Sequence, residues 1–209
     1  MIPDLAALAD RAAALAGSGR RALLGVTGPP GAGKSTLVAA LVAALEGRRP
    51  GTAVAVPMDG FHLAQAELAR LGRADRKGAP DTFDVEGYLA LLRRLREPAA
   101  ATIYAPAFRR ELEEPVAGAV PVPPEVPLVV TEGNYLLLDG GGWGQVRCLL
   151  DEVWFLDADP ARRVEELVAR HVAHGRSPRQ SREWVLGSDE ANARLVAATA
   201  ARADLLVRR

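Results

Sequence analysis

Short apolar runs that end in glycine or an acid, separated by stretches with helical spacing, set the architecture of this chain. Ala22-Leu23-Leu24-Gly25-Val26-Thr27 reads as a buried strand, and Ser35 to Leu45 follows with apolar positions three and four apart. A second run, Ala53 to Val56, ends at Pro57-Met58-Asp59-Gly60. A third, Pro127 to Thr131, ends at Glu132-Gly133-Asn134, and a fourth, Val153 to Leu156, ends at Asp157. Ala203 to Val207 reads as a last short strand. Helical patterns fill Val85 to Arg96, Pro160 to His171 and Arg182 to about Ala201. Buried strands without clean alternation, separated by helices, predict an α/β fold with a parallel sheet covered on both faces. Ligands of such sheets collect at the carboxyl ends of the strands, where Asp59, Glu132 and Asp157 lie. The stretch Pro115 to Pro127, with Pro121, Pro123 and Pro124 inside it, excludes a helix and predicts a β-excursion or an extended connector.

Composition narrows the function classes. The chain has 209 residues, 49% hydrophobic and 25% charged, with 26 Lys+Arg against 26 Asp+Glu. That is a globular composition of one-domain size with no basic excess, so no nucleic-acid partner is expected. No run of about 18 apolar residues occurs, and residues 1–19 carry Asp4, Asp10 and Arg11 without a signal-peptide pattern; no membrane partner and a cytoplasmic location are expected. The lone Cys148, in an apolar stretch, reads as a packed core thiol. Lysine occurs only at Lys34 and Lys77, so 24 of the 26 basic residues are arginine, which makes the two lysines worth locating.

Gly28-Pro29-Pro30-Gly31-Ala32-Gly33-Lys34-Ser35 fits G-x-x-x-x-G-K-[ST] in full, between a predicted strand and a predicted helix. Glycines let backbone N–H groups turn inward around phosphate oxygens, and the helix N-terminus adds positive potential. Lys34 would reach the β- and γ-phosphates, Ser35 would ligate Mg²⁺, and residues Gly28 to Thr36 are expected to bind ATP. Neither Asn134 nor Asn192 begins an N-K-x-D guanine reader, which disfavours a switch-type GTPase. Glu132 ends the third strand, where a P-loop protein places a carboxylate for the metal or its water shell; the alternative is a solvated acid.

A kinase must also orient an acceptor hydroxyl and take its proton. Asp59 ends the second strand and can face the loop as that base, or it caps the segment that follows. His62 is a substrate contact or a satisfied polar group. Lys77 lies in a polar loop before a helix that Asp84 can cap, as an acceptor contact or a solvated charge. Tyr104, Phe108 and Arg109, beside Arg110, line an acceptor pocket or pack in the core. Arg162, Arg163, Arg170, His171, His174, Arg176 and Arg179 suit a solvated helical face, with Arg170 and Arg176 the preferred lid residues over the phosphates. His171 and His174 lack a third ligand for a metal.

With these residues in hand, the chain resembles the P-loop small-molecule kinases that include uridine kinase, phosphoribulokinase and bacterial type I pantothenate kinase. The resemblance rests on residues 28–36, Pro57-Met58-Asp59-Gly60-Phe61-His62, Lys77 to Asp84 and Thr131-Glu132-Gly133-Asn134-Tyr135. Bacterial nucleoside/nucleotide kinase-like and fructose-transport-system kinase-like proteins carry similar Asp-Gly-Phe-His, Glu-Gly-Asn-Tyr and Arg-His-x-x-x-Gly-Arg segments, the last here Arg170 to Arg176. The resemblance implies a three-layer α/β/α sandwich with a mainly parallel central sheet and an Arg-bearing lid, as a single kinase domain over residues 1–209. It implies Asp59 as catalytic base, Lys34 on the phosphates, Ser35 with Mg²⁺, and an acceptor near Lys77, His62 and residues 104–110. Pantothenate kinases usually carry Tyr-x-His where this chain reads Tyr104-Ala105-Pro106-Ala107-Phe108-Arg109-Arg110, which disfavours pantothenate. The expected activity is ATP-dependent phosphorylation of a hydroxyl on a small metabolite: a nucleoside, a sugar or a pantothenate-like compound. The alternatives are a nucleoside-monophosphate kinase, with Arg73, Arg76, Arg109 and Arg110 on the acceptor phosphate, and a regulatory ATP-binding protein. A homodimer is left open.

Overall fold

The computed structural model describes residues 4–173 and 175–209. In chain order its elements are α1 (Leu5–Ala16), β1 (Ala22–Thr27), α2 (Lys34–Arg48), β2 (Ala53–Pro57), α3 (Gln65–Arg70), α4 (Val85–Arg96), β3 (Ile103–Arg109), β4 (Glu114–Val122), β5 (Leu128–Glu132), β6 (Glu152–Asp157), α5 (Pro160–Ala173), α6 (Pro178–Trp184), α7 (Glu190–Ala197) and β7 (Leu205–Arg208). Five strands form one sheet in the order β2-β5-β1-β6-β7, with every neighbouring pair parallel. No helix among the described residues is long and apolar enough to cross a membrane.

The apolar runs are continuous because both faces of the sheet are covered. Along β1, Leu23 packs into the core containing α4, whereas Ala22, Leu24 and Val26 pack into the core containing α1 and α2. Val129 and its neighbours Leu128 and Val130 divide in the same way on β5. Register then gathers the chemistry at one edge: Glu132 pairs with Val26 on one side and Pro57 on the other. The end of β5 therefore sits between the loop after β1 and the turn after β2.

Of the two readings of the proline-rich stretch, the β-excursion holds for most of it, and residues 123–127 connect it to β5. Glu114 to Val122 is β4, antiparallel to β3, in a two-stranded sheet with a register shift between Ala105 and Ala107. An edge hairpin tolerates proline because half its backbone donors need no partner. It docks through Gly60: a Cβ there would lie 2.3 Å from the Pro106 carbonyl oxygen, so backbone meets backbone only because this residue is glycine.

Three expectations need correction. The helix expected from Arg182 to Ala201 begins earlier, at a Ser177–Gln180 capping box, and is broken by a π-helical turn, Val185–Asp189, between α6 and α7. Cys148 is exposed: residues 147–149 form a tight turn with Val146 and Leu150 buried on either side, so the thiol faces out. Arg163 is not on a solvated face but buried, donating to the Pro30 carbonyl (3.0 Å) and pairing with Glu190. That contact ties α5 to both the phosphate-binding loop and α7.

Candidate active site

Gly33 lets β1 turn into α2: as the N-cap of α2 it has φ 94, a left-handed conformation that glycine adopts freely. The next residue, Lys34, is buried, and its ammonium donates to the carbonyls of Gly28 (2.9 Å) and Pro29 (3.1 Å) and to Asn134 Oδ1 (2.7 Å). Burial pushes its pKa from 10.5 down to about 8, against the pull of Glu132 and Asp59. Ser35 Oγ donates to Glu132 Oε1 at 2.8 Å. Burial, and then the charge of Asp59, holds the Glu132 carboxyl above its ordinary range, while Lys34 and Ser35 oppose the shift. Two acids and a lysine thus share one poorly solvated corner at the ends of β1, β2 and β5.

This corner opens into a cleft of about 420 Å³. Pro30, Gly31, Gly33, Lys34, Ser35, Thr36 and Glu132 line one end, with Asp59, His62, Lys77 and Phe108 also on its wall. His62 Nδ1 lies 2.8 Å from the Asp59 carbonyl oxygen, and its ring packs on Phe83 and Phe108 at centroid distances of 4.0 and 5.0 Å. Burial lowers the His62 pKa, with Asp59 pulling the other way. Arg170 and Arg176 reach the same cleft from α5 and the loop after it; the Arg176 guanidinium lies 4.3 Å from the centre of the Trp184 ring. Desolvation in the cleft, followed by the charge of Arg110, lowers the pKa of Arg170. An anion entering between these guanidiniums would relieve both effects.

The structure brings most of the expected residues together, but not all. Gly28, Pro29 and Ala32 lie behind the cleft wall, where the first two hold Lys34 through their carbonyls and Ala32 accepts from Arg209 (3.3 Å). Tyr104 and Arg109 are exposed and outside the cleft. Tyr104 lies four residues before Phe108, roughly 13 Å back at about 3.3 Å per residue. Arg109 falls on the opposite side of the strand path from its neighbours, so Arg110 takes the cleft position. Arg73 and Arg76 are occupied by Asp81, at 3.4 and 2.9 Å, which leaves Arg110 as the cleft-lining member of the arginine set expected for a nucleoside monophosphate. His171 meets Asp189 at 3.1 Å, and His174 lies outside the described residues.

No role for Asn134 follows from the sequence alone, and the structure places it on the Lys34 ammonium. Its position two residues beyond Glu132 was the available signal. Asp189 and Asn192, which line the cleft from the π turn and α7, carried none, because their placement depends on that break in the helix.

Comparison with known proteins agrees with this arrangement. A Schizosaccharomyces pombe protein provisionally named a uridine kinase is 33% identical over 181 residues, covering 83% of this chain and 77% of its own length. A Silicibacter sp. TM1040 protein, whose crystal structure is described provisionally as a fructose transport system kinase, superimposes with a TM-score of 0.86 at 38% identity, over 97% of this chain and 98% of that one. The chain belongs to the P-loop kinases of the uridine kinase and pantothenate kinase type. A pantothenate kinase of Lacticaseibacillus casei is 29% identical over 140 residues, 66% of this chain and 45% of that enzyme. The family model for the methylmalonyl Co-A mutase-associated GTPase MeaB matches residues 6–59, from α1 to Asp59. That match stops before the hairpin, β5 and the α5–α7 region, so it reports the loop-bearing segment that P-loop proteins share. The α/β fold of this chain, a parallel central sheet of five strands with helices around it, matches P-loop kinase structures.

Proposed function

We propose that this protein transfers the γ-phosphoryl group of ATP to a hydroxyl of a small metabolite, with Mg²⁺ as the metal. The observation that carries the reading is that Asp59, at the end of β2, shares one cleft with Lys34, Ser35 and Glu132. Hard oxygens suit magnesium, and the Ser35 hydroxyl and Glu132 carboxylate, 2.8 Å apart, would hold it together with the nucleotide's own phosphates. When bound, the ion neutralises charge on the β- and γ-phosphates. The N–H groups of residues 31–36 and the Lys34 ammonium orient the phosphates. Arg170 and Arg176 supply charge over them from the lid side and exclude water. Asp59 accepts the proton of the acceptor hydroxyl as that oxygen bonds to phosphorus, and His62 lines the acceptor side beside it.

His62 is the alternative base: its Nδ1 is engaged by the Asp59 carbonyl and its ring packs in tilted contact with Phe83 and Phe108, so it could act only through Nε2. Asp59→Asn tests the assignment. The Asp59 side chain caps neither the turn it lies in nor α3, although the sequence allows such a role, so asparagine preserves size and removes only the capacity to take the proton. Acceptor phosphorylation is expected to fall by about 10²–10⁴, with nucleotide affinity within a few fold of the parent. Near-parental turnover in a folded variant would remove Asp59 from the mechanism.

A further inference from the structure

Lys77, like Lys34, lines the cleft, and these are the two lysines of the chain. Its ammonium is held in place: it donates to the Glu113 carbonyl (2.7 Å) and to Gln65 Oε1 (3.4 Å) and lies 5.2 Å from the centre of the Phe108 ring. The turn that supplies this carbonyl holds Glu113 at φ 55, a left-handed conformation that is costly for a residue other than glycine. An ammonium has three donors, and the two contacts leave one for the cleft. Among the described residues Lys77 forms no ion pair with an acid, whereas Arg73 and Arg76 both pair with Asp81, and Arg76 also with Asp75. A positioned charge without an ion-pair partner thus stands on the acceptor side, where Arg110 and the acid Glu113 also line the cleft.

Beside it, His62 has a fixed tautomer. The Asp59 carbonyl can only accept, so Nδ1 carries the proton at 2.8 Å and Nε2 offers a lone pair. Burial favours the neutral ring, against the charge of Asp59. Asp59 and His62 Nε2 are therefore two acceptors suited to hydroxyl donors, and Lys77 is a cation suited to an anion.

We infer that the phosphoryl acceptor is a small hydroxylated anion, whose carboxylate or phosphate is bound by Lys77 and whose hydroxyls face Asp59 and His62. This inference rests on the kinase reading above. In the step itself the acceptor oxygen bonds to the γ-phosphorus, the bond from that phosphorus to the ADP oxygen breaks, and the hydroxyl proton passes to Asp59. The product carries its original anionic group plus a new phosphate ester.

Matched acceptor pairs test it: D-glycerate against glycerol and pantothenate against panthenol for the carboxylate source, fructose 6-phosphate against fructose for the phosphate source. Each is incubated with ATP and Mg²⁺ and read by mass gain on the acceptor. The anionic member of at least one pair is expected to have a kcat/KM tenfold or more above its neutral partner. Lys77→Met should raise the KM for that anion tenfold or more and leave the KM for ATP unchanged, while Lys77→Arg should stay within a few fold of the parent. Preference for the neutral members overturns the inference and leaves the kinase reading standing. So does a Lys77→Met variant that melts earlier but keeps the anion preference, since Lys77 would then be only a strut between the hairpin and the 73–84 loop. If no compound is phosphorylated, the kinase reading loses its support, and calorimetry of the same anions on the protein with Mg·ADP decides the inference separately. Binding lost in Lys77→Met supports it; no binding, or binding indifferent to Lys77, overturns it.

Discussion

Burying a lysine behind a phosphate-binding loop sets up a measurable proton linkage. The Lys34 ammonium titrates near 10.5 when free and near 8 in the folded protein, because burial penalises its charged form. Between those values the unfolded chain binds more protons than the folded one, so the contribution of this group to stability rises with pH through that window and is least favourable below it. A phosphate needs the charged form. Binding ATP just above pH 8 should therefore draw a proton onto Lys34, seen as proton uptake when calorimetric heats are compared in buffers of different ionisation enthalpy. The uptake should vanish in Lys34→Met; none in the parent would contradict a charged lysine on the phosphates. Glu132 is separable from its neighbours in the same way. Glu132→Gln keeps an acceptor for the Ser35 hydroxyl but removes the charge, so the Mg²⁺ concentration for half-maximal turnover should rise about tenfold or more, consistent with the loss of a charge-assisted contact. A parental magnesium response would reduce Glu132 to an anchor for Ser35. At this scale the sequence names residue types well and directions poorly: Lys34 and Ser35 follow from the loop motif and Asp59 and Glu132 from strand ends, whereas the choice of Arg110 over Arg109 depends on which way a strand end faces.

The elements divide along the same line. Four of the five sheet strands are legible because each is an apolar run closed by glycine or an acid, β7 is a short, mostly exposed run before Arg209, and α4 is legible to the residue, its start marked by the Asp84 cap. The β3–β4 hairpin is legible only in part: the prolines between Pro115 and Pro127 exclude a helix and allow a β-excursion, but the pairing of β4 with β3 and its register shift have no short-range signature. The π turn at Val185–Asp189 is equally silent in the apolar periodicity, yet it carries Asp189 to the cleft. Docking of the hairpin gives the element its own test. In Gly60→Ala the new Cβ would meet the Pro106 carbonyl oxygen, so the hairpin must shift. Overpacking of this kind costs about 1–3 kcal/mol. Acceptor KM should rise while ATP affinity stays near the parental value, as read by acceptor saturation and by calorimetry. Parental acceptor kinetics would show that the hairpin does not shape that side of the cleft.

Across the whole molecule, three parts of the chain converge on one space: the β1–α2 loop, the β2–hairpin wall with Asp59, and the α5–α7 segment that Arg163 ties back to the loop through Pro30 and Glu190. On the proposed reading such an arrangement would hold a nucleotide phosphate chain and a second molecule side by side, which a regulatory nucleotide binder would not require. Turnover should accordingly depend on two ligands. The most direct measurement is ADP release from ATP and Mg²⁺ with and without each member of a panel of nucleosides, sugars, sugar phosphates and hydroxy acids, with the mass of each candidate acceptor followed in parallel. The account requires ADP release that rises with one of these compounds and an equal molar gain of one phosphoryl group, about 80 Da, on that compound. ADP release that is the same with every compound as with none, and no compound gaining mass, would contradict it.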